Sequence, residues 1–162
     1  MPRIVLFQPQ IPPNTGNVAR TCVATGCELH LIRPLGFSLE HRQLKRAGLD
    51  YWPALQLTVH TSWEVFHAER SGRGGRLLGF SSHAERPYDE IAYANDDWLL
   101  FGRETEGLPQ EVLECCDQRL RIPIRPWKAG SVGGVRSLNL AVAVAVVLFE
   151  ALRQQRRHGT GC

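Results

Sequence analysis

Lysine is almost missing from this 162-residue chain: all but two of its 19 basic residues, Lys45 and Lys128, are arginine. The arginine fork suits phosphate, so the bias permits nucleic-acid binding, but a net charge of +3 does not demand it and coding bias would give the same skew. No Cys-x-x-C occurs among the cysteines (Cys22, Cys27, Cys115, Cys116, Cys162), which include an adjacent pair and an odd member. That indicates neither a disulfide framework nor a zinc site, and free thiols are expected. The histidines (His30, His41, His60, His67, His83, His158) lack metal-ligand spacing, so no metal is expected. There is no Walker loop and no Gly-x-Gly-x-x-Gly, and Ser81-Ser82-His83 has neither a nucleophile elbow nor a placed acid. No apolar run is as long as a membrane span, since Leu138 to Phe149 is short and carries Asn139. Met1 to Phe7 enters a strand at once, without a signal-peptide pattern. The chain therefore reads as cytoplasmic, with no membrane partner and no repeat.

What is present centres on Leu120 to Leu152. An apolar strand (Leu120 to Ile124) precedes a glycine-bearing loop, and then an apolar stretch runs from Leu138 to Leu152 with no Gly or Pro. Its length favours helix over strand, with Ser137 as cap and Arg153, Arg156 and Arg157 at the negative end of the dipole. A helix apolar on nearly every side must be covered on nearly every side, which a sheet and a partner subunit would do together.

Upstream, strands are expected at Arg3 to Phe7, Glu28 to Ile32, Leu55 to Val59, Arg76 to Ser81 and Trp98 to Phe101. The proline-rich stretch Gln8 to Pro13 forbids helix until it ends, after which Asn14 opens one that stops at Gly26. Ser38 caps a second helix with a basic face (Arg42, Lys45, Arg46), Ser62 a third, and Pro109 starts a short one ending at Cys116. Ser82 to Asn95 reads as a polar connection, and Tyr51, Trp52 and Trp63 as core. Strands alternating with helices predict an α/β fold, a mostly parallel sheet flanked by helices. One domain covers residues 1–155, and 156–162 read as a disordered tail.

Three loops follow strands and can converge at their carboxyl ends. Asn14-x-Gly-Asn17-x-x-Arg20 is either a capping turn with a surface arginine or a phosphate or ribose site. In Phe101-Gly-Arg-Glu-Thr-Glu-Gly-Leu108, Glu104 either orients substrate or caps the loop. Arg136-Ser-Leu-Asn139 alone would be an ordinary cap.

Taken together, Asn14-Thr-Gly-Asn-Val-Ala-Arg20, Phe101 to Leu108, and Arg121-Ile-Pro-Ile124 with Ser137-Leu-Asn-Leu-Ala-Val142 resemble the three motifs of the SpoU branch of the SPOUT RNA methyltransferases. Gln8 to Asn17, Leu35-Gly-Phe37 and Arg46-Ala-Gly-Leu-Asp-Tyr51 further resemble its short, single-domain tRNA methyltransferases acting on the 2′-oxygen of the wobble nucleotide. The resemblance implies a homodimer, a C-terminal trefoil knot and S-adenosylmethionine as cofactor, with tRNA as partner. By motif position it places the cofactor against Phe80, Gly102, Ile122, Ser137 and Leu138, RNA near Asn14, Asn17, Glu104 and Asn139, and the catalytic role on Arg20. Methylation of ribosomal RNA or another tRNA position is the alternative within the fold. A non-catalytic RNA-binding module is the alternative outside it, against which Arg20, Gly102, Glu104 and Asn139 all stand. The stretch Arg125 to Arg136 is longer than the turn usual in this subfamily. It is either a lid, with Trp127 closing over the site and Lys128 reaching phosphate, or a neutral insertion.

Overall fold

A computed structural model of the chain describes residues 1–39, 51–125 and 135–159. Seven strands form one sheet: β1 (Arg3–Phe7), β2 (Leu29–Ile32), β3 (Leu57–His60), β4 (Leu77–Phe80), β5 (Arg86–Pro87), β6 (Trp98–Phe101) and β7 (Gln118–Arg121). Their order is β3-β2-β1-β6-β4-β7-β5, and every pairing is parallel. The central strands read Ile-Val-Leu-Phe and Trp-Leu-Leu-Phe because both faces are covered. One face (Ile4, Leu6, Leu99, Phe101) packs on α1 (Pro12–Thr25) and α4 (Leu140–Gly159). The other (Val5, Phe7, Trp98, Leu100) packs on α2 (Trp63–Arg73) and α3 (Gln110–Glu114).

Several expectations shift by a few residues, each for a physical reason. α1 begins at Pro12, inside the proline stretch, because the first-turn N–H groups have no helical partner and proline loses nothing there. Asn14 and Gly16 thus lie within the helix. β7 ends at Arg121, leaving Ile122 beyond it, since Pro123 cannot donate to the ladder. α4 is capped by Asn139, whose Oδ1 accepts from the N–H groups of Ala141 (2.9 Å) and Val142 (3.4 Å), and not by Ser137. It stays helical to Gly159, well into the stretch read as tail. α2 runs through Arg73, and Ser62 caps it as anticipated. β5 arises within the expected polar connection, two residues being too few to show alternation. The helix expected after Ser38, with Arg42, Lys45 and Arg46, and the Trp127 to Gly134 stretch lie outside the described residues.

Sequence spacing also failed to reveal a meeting of two histidines on neighbouring strands. His30 and His60, both buried, stack at 5.2 Å with Nδ1 of one 3.0 Å from Nε2 of the other. Glu28 lies 3.2 Å from the outer nitrogen of His30, and Glu69 3.4 Å from that of His60. His30, His60 and Glu69 are the one group among the described residues close enough to share a cation. Arg73, bonded to Glu28 at 2.9 Å, opposes a further positive charge there. Burial pushes His30 down to about 4, against the pull of Glu28, and lowers His60 as well. A histidine kept neutral in the fold contributes stability in full above its unfolded value, and that contribution is lost as pH falls from about 6.5 towards its folded value. Between pH 7 and 5 the loss from His30 is on the order of 2 kcal/mol. Urea midpoints should therefore drop over this interval, and His30→Gln should flatten the drop. Equal midpoints for the unaltered chain at both pH values would refute this.

Candidate functional site

The three loops singled out by sequence meet through one chain of hydrogen bonds. The Glu104 carboxylate accepts from the backbone N–H of Gln10 (2.8 Å) and Ile11 (3.0 Å) and from Nδ2 of Asn14 (3.3 Å). Asn14 Oδ1 in turn accepts from Asn139 Nδ2 at 2.9 Å, and Asn139 caps α4. Glu104 thus fastens its own loop to the first. Its anionic oxygens satisfy N–H groups entering α1, where the helix dipole favours negative charge. Asn14 is buried in this arrangement and Asn139 is exposed beside it.

The loop after β6 is a tight hairpin. Arg103 and Gly107 exchange backbone hydrogen bonds (3.1 and 2.9 Å), and Gly107 takes the left-handed conformation, φ +70°. Gly102 lies so close beneath the far side of the turn that a Cβ would sit 2.2 Å from the Gly107 carbonyl carbon and 2.3 Å from the Leu108 nitrogen. Only glycine permits that approach. Sequence reasoning missed Arg103, which braces the hairpin from outside. Its Nε donates to Gln8 Oε1 (2.9 Å), as does a terminal nitrogen, its other terminal nitrogen pairs with Glu106 (2.8 Å), and its guanidinium covers Phe7. Thr105 adds a bond to Gln10 at 2.8 Å. The overlooked signal was the pairing of Gln8 and Gln10, ahead of the first loop, with the arginine and threonine of the second.

The residues assigned to the cofactor gather at the carboxyl ends of the strands. Phe80 closes β4 and stacks on Phe101 at 4.7 Å, and it joins Leu120 and Leu140 in one apolar cluster against which Ile122 packs. Gly102 follows β6, while half-buried Leu138 and exposed Ser137 lead into α4. Asn17 and Arg20 are exposed on α1, and the Arg20 guanidinium lies 5.2 Å from the ring centroid of Tyr51. Tyr51, expected in the core, is half-buried, with its hydroxyl donating to the Gly16 carbonyl at 2.7 Å.

Residues 1–149 match the SpoU rRNA Methylase family. The chain belongs to that family. A SpoU relative from Burkholderia cenocepacia, named tRNA (cytidine(34)-2'-O)-methyltransferase, is 46% identical over 153 residues, 93% of this chain and 94% of its own. A solved structure described as bearing on the 2-OH methylation of C/U34 on tRNA superposes with a TM-score of 0.86 and 50% identity, covering 97% of each chain. An AdoMet-bound rRNA methyltransferase from Sinorhizobium meliloti superposes with a TM-score of 0.78 and 27% identity, over 97% of this chain and 56% of its own. The seven-stranded parallel sheet is thus the SpoU sheet, and the three joined loops carry the motifs by which the sequence resembles the family.

Proposed function

We propose that this SpoU chain transfers a methyl group from S-adenosylmethionine to the ribose 2′-oxygen of the wobble nucleotide, C34 or U34, of tRNA. The observation that carries the reading is the Glu104–Asn14–Asn139 linkage, which draws the three motif loops together beside an exposed arginine. The near full-length likeness to a protein named for position 34 supports the substrate.

The residues present fit the cofactor chemically. Phe80 and Leu140, with half-buried Ile122 packed against the same cluster, are apolar groups suited to an adenine ring, and the Gly102 hairpin and the Ser137-Leu138 approach to α4 offer backbone polar groups. S-adenosylmethionine supplies an electrophilic methyl group on a sulfonium. The protein's part is to align a ribose hydroxyl with it and to exclude water. The planar fork of an arginine matches two oxygens of a phosphate or ribose at once, and that is the part we give to Arg20. Its work is to hold the phosphate and ribose so that the 2′-oxygen faces the donor.

A second copy of the chain completes the reading. α4 presents Val142 (48% exposed) and Phe149 (52% exposed) on one stripe, with half-buried Ala145 and Leu152 between and beyond them. These apolar groups suit a homodimer interface. The trefoil knot implied by the sequence resemblance depends on the path from Arg125 to Val135, most of which lies outside the described residues.

The test is methyl transfer by the purified protein to RNA from a strain deleted for it, followed by mapping of the modified nucleotide. Expected are one 2′-O-methyl group at position 34 of tRNA, a cofactor affinity in the micromolar range and a two-chain mass by light scattering. Methylation confined to ribosomal RNA would favour the reading suggested by the family's description. Neither cofactor binding nor transfer to any RNA would end both.

A further inference from the structure

Arg20 has an unusual setting for an arginine asked to hold RNA. Among the described residues it has no carboxylate partner within ion-pair distance. The guanidinium lies instead over the Tyr51 ring, 5.2 Å from its centroid. The difference matters because a carboxylate takes the N–H edge of a guanidinium, the same edge that a phosphate or ribose oxygen needs. An aromatic face takes only the flat side, leaving the in-plane N–H donors pointing outward.

Tyr51 is itself held in place. Its hydroxyl donates to the carbonyl of Gly16 at 2.7 Å, and its ring packs against the apolar cluster shared with α1 and α4. In an α-helix the Gly16 carbonyl also accepts the N–H of the residue four positions on, which is Arg20. One tyrosine thus grips the turn that carries Arg20 through its hydroxyl and the end of the Arg20 side chain through its ring. A free arginine has rotamer entropy to lose on binding, and a side chain already oriented loses less. The stretch Arg46 to Tyr51, which the sequence singled out and the cofactor site does not use, thereby acquires a reason for ending in tyrosine.

We propose that Tyr51 is a positioning residue for Arg20, presenting its N–H edge to the ribose and phosphate of the substrate. The proposal rests on the reading of Arg20 as the RNA-holding residue. It predicts that Tyr51→Leu lowers kcat for tRNA methylation about tenfold, the worth of a partly desolvated cation–π contact. Cofactor affinity should not change. Tyr51→Phe, which keeps the ring and loses the hydroxyl, should retain most of the lost rate. In an Arg20→Ala background, Tyr51→Leu should cause no further loss. A folded Tyr51→Leu protein with unaltered kcat, a Tyr51→Phe protein as slow as Tyr51→Leu, or an undiminished effect of Tyr51→Leu without Arg20 would each overturn it.

One readout needs no catalysis and no folded Leu variant. In the unaltered protein, the Arg20 side-chain Nε–H resonance should be shifted upfield by the Tyr51 ring current. A resonance at the position of an unstacked arginine would overturn the proposal. If the unaltered protein methylates nothing, the functional reading fails instead, and the resonance still reports whether the stacking exists.

Discussion

Arg20→Ala should slow methylation of tRNA severely while leaving cofactor binding nearly intact. The loss should be on the order of a hundredfold or more in single-turnover rate, because a misaligned hydroxyl forfeits the benefit of fixed geometry. In the proposed reading the two functions are separable, because their residues lie on different elements. Arg20 is exposed on α1, whereas Phe80, Gly102 and Leu140 belong to the ends of β4 and β6 and the start of α4. Removing an exposed side chain leaves the Glu104–Asn14–Asn139 linkage untouched. Calorimetry with S-adenosylmethionine and single-turnover transfer to tRNA check the two halves independently. A variant that transfers methyl groups at the normal rate would remove Arg20 from the site.

Gly102→Ala is expected to act in the opposite sense, damaging cofactor binding and stability together. The added methyl would meet three backbone atoms of Gly107 and Leu108 within 2.6 Å, none of which can rotate aside as a side-chain tip would. The hairpin must open, and with it go the Arg103–Gly107 bonds and the seat of Glu104. A cost of about 3 kcal/mol or more is in keeping with forced backbone displacement in a packed site. Urea denaturation and cofactor titration measure it. Wild-type values for both would show that the turn is looser than its geometry indicates. Gly107→Ala makes an informative control, since there the strain comes from φ +70° with no atom within contact distance, and the effect should be milder.

The framework was legible because its signals are local. Trp98 to Phe101 falls at the bounds anticipated, four apolar residues between Asp97 and Gly102 allowing little else. Ser62 caps its helix for a reason contained in four consecutive residues. The misses came where a distant group outweighed a local preference. Ser137 looked like the cap of α4, yet Asn139 has a partner in Asn14 to hold its amide in place, which no local rule could supply. The motif loops suggested convergence and gave its members, but not that Glu104 would spend its oxygens on Gln10, Ile11 and Asn14. Arg103 and the His30–His60 pair escaped notice because each depends on which strand lies beside which.

The Asn14–Asn139 bond also sets an order of events during synthesis. Its two residues are 125 positions apart, so translation at 5–20 residues per second separates their appearance by roughly 6 to 25 s. Throughout that interval the amide of Asn14 has no Asn139 to receive from, and α4 does not exist. A nascent or prematurely ended chain can hold Arg20 and the Gly102 hairpin without the cap that joins them. The loops are therefore joined late, once the start of α4 has left the ribosome.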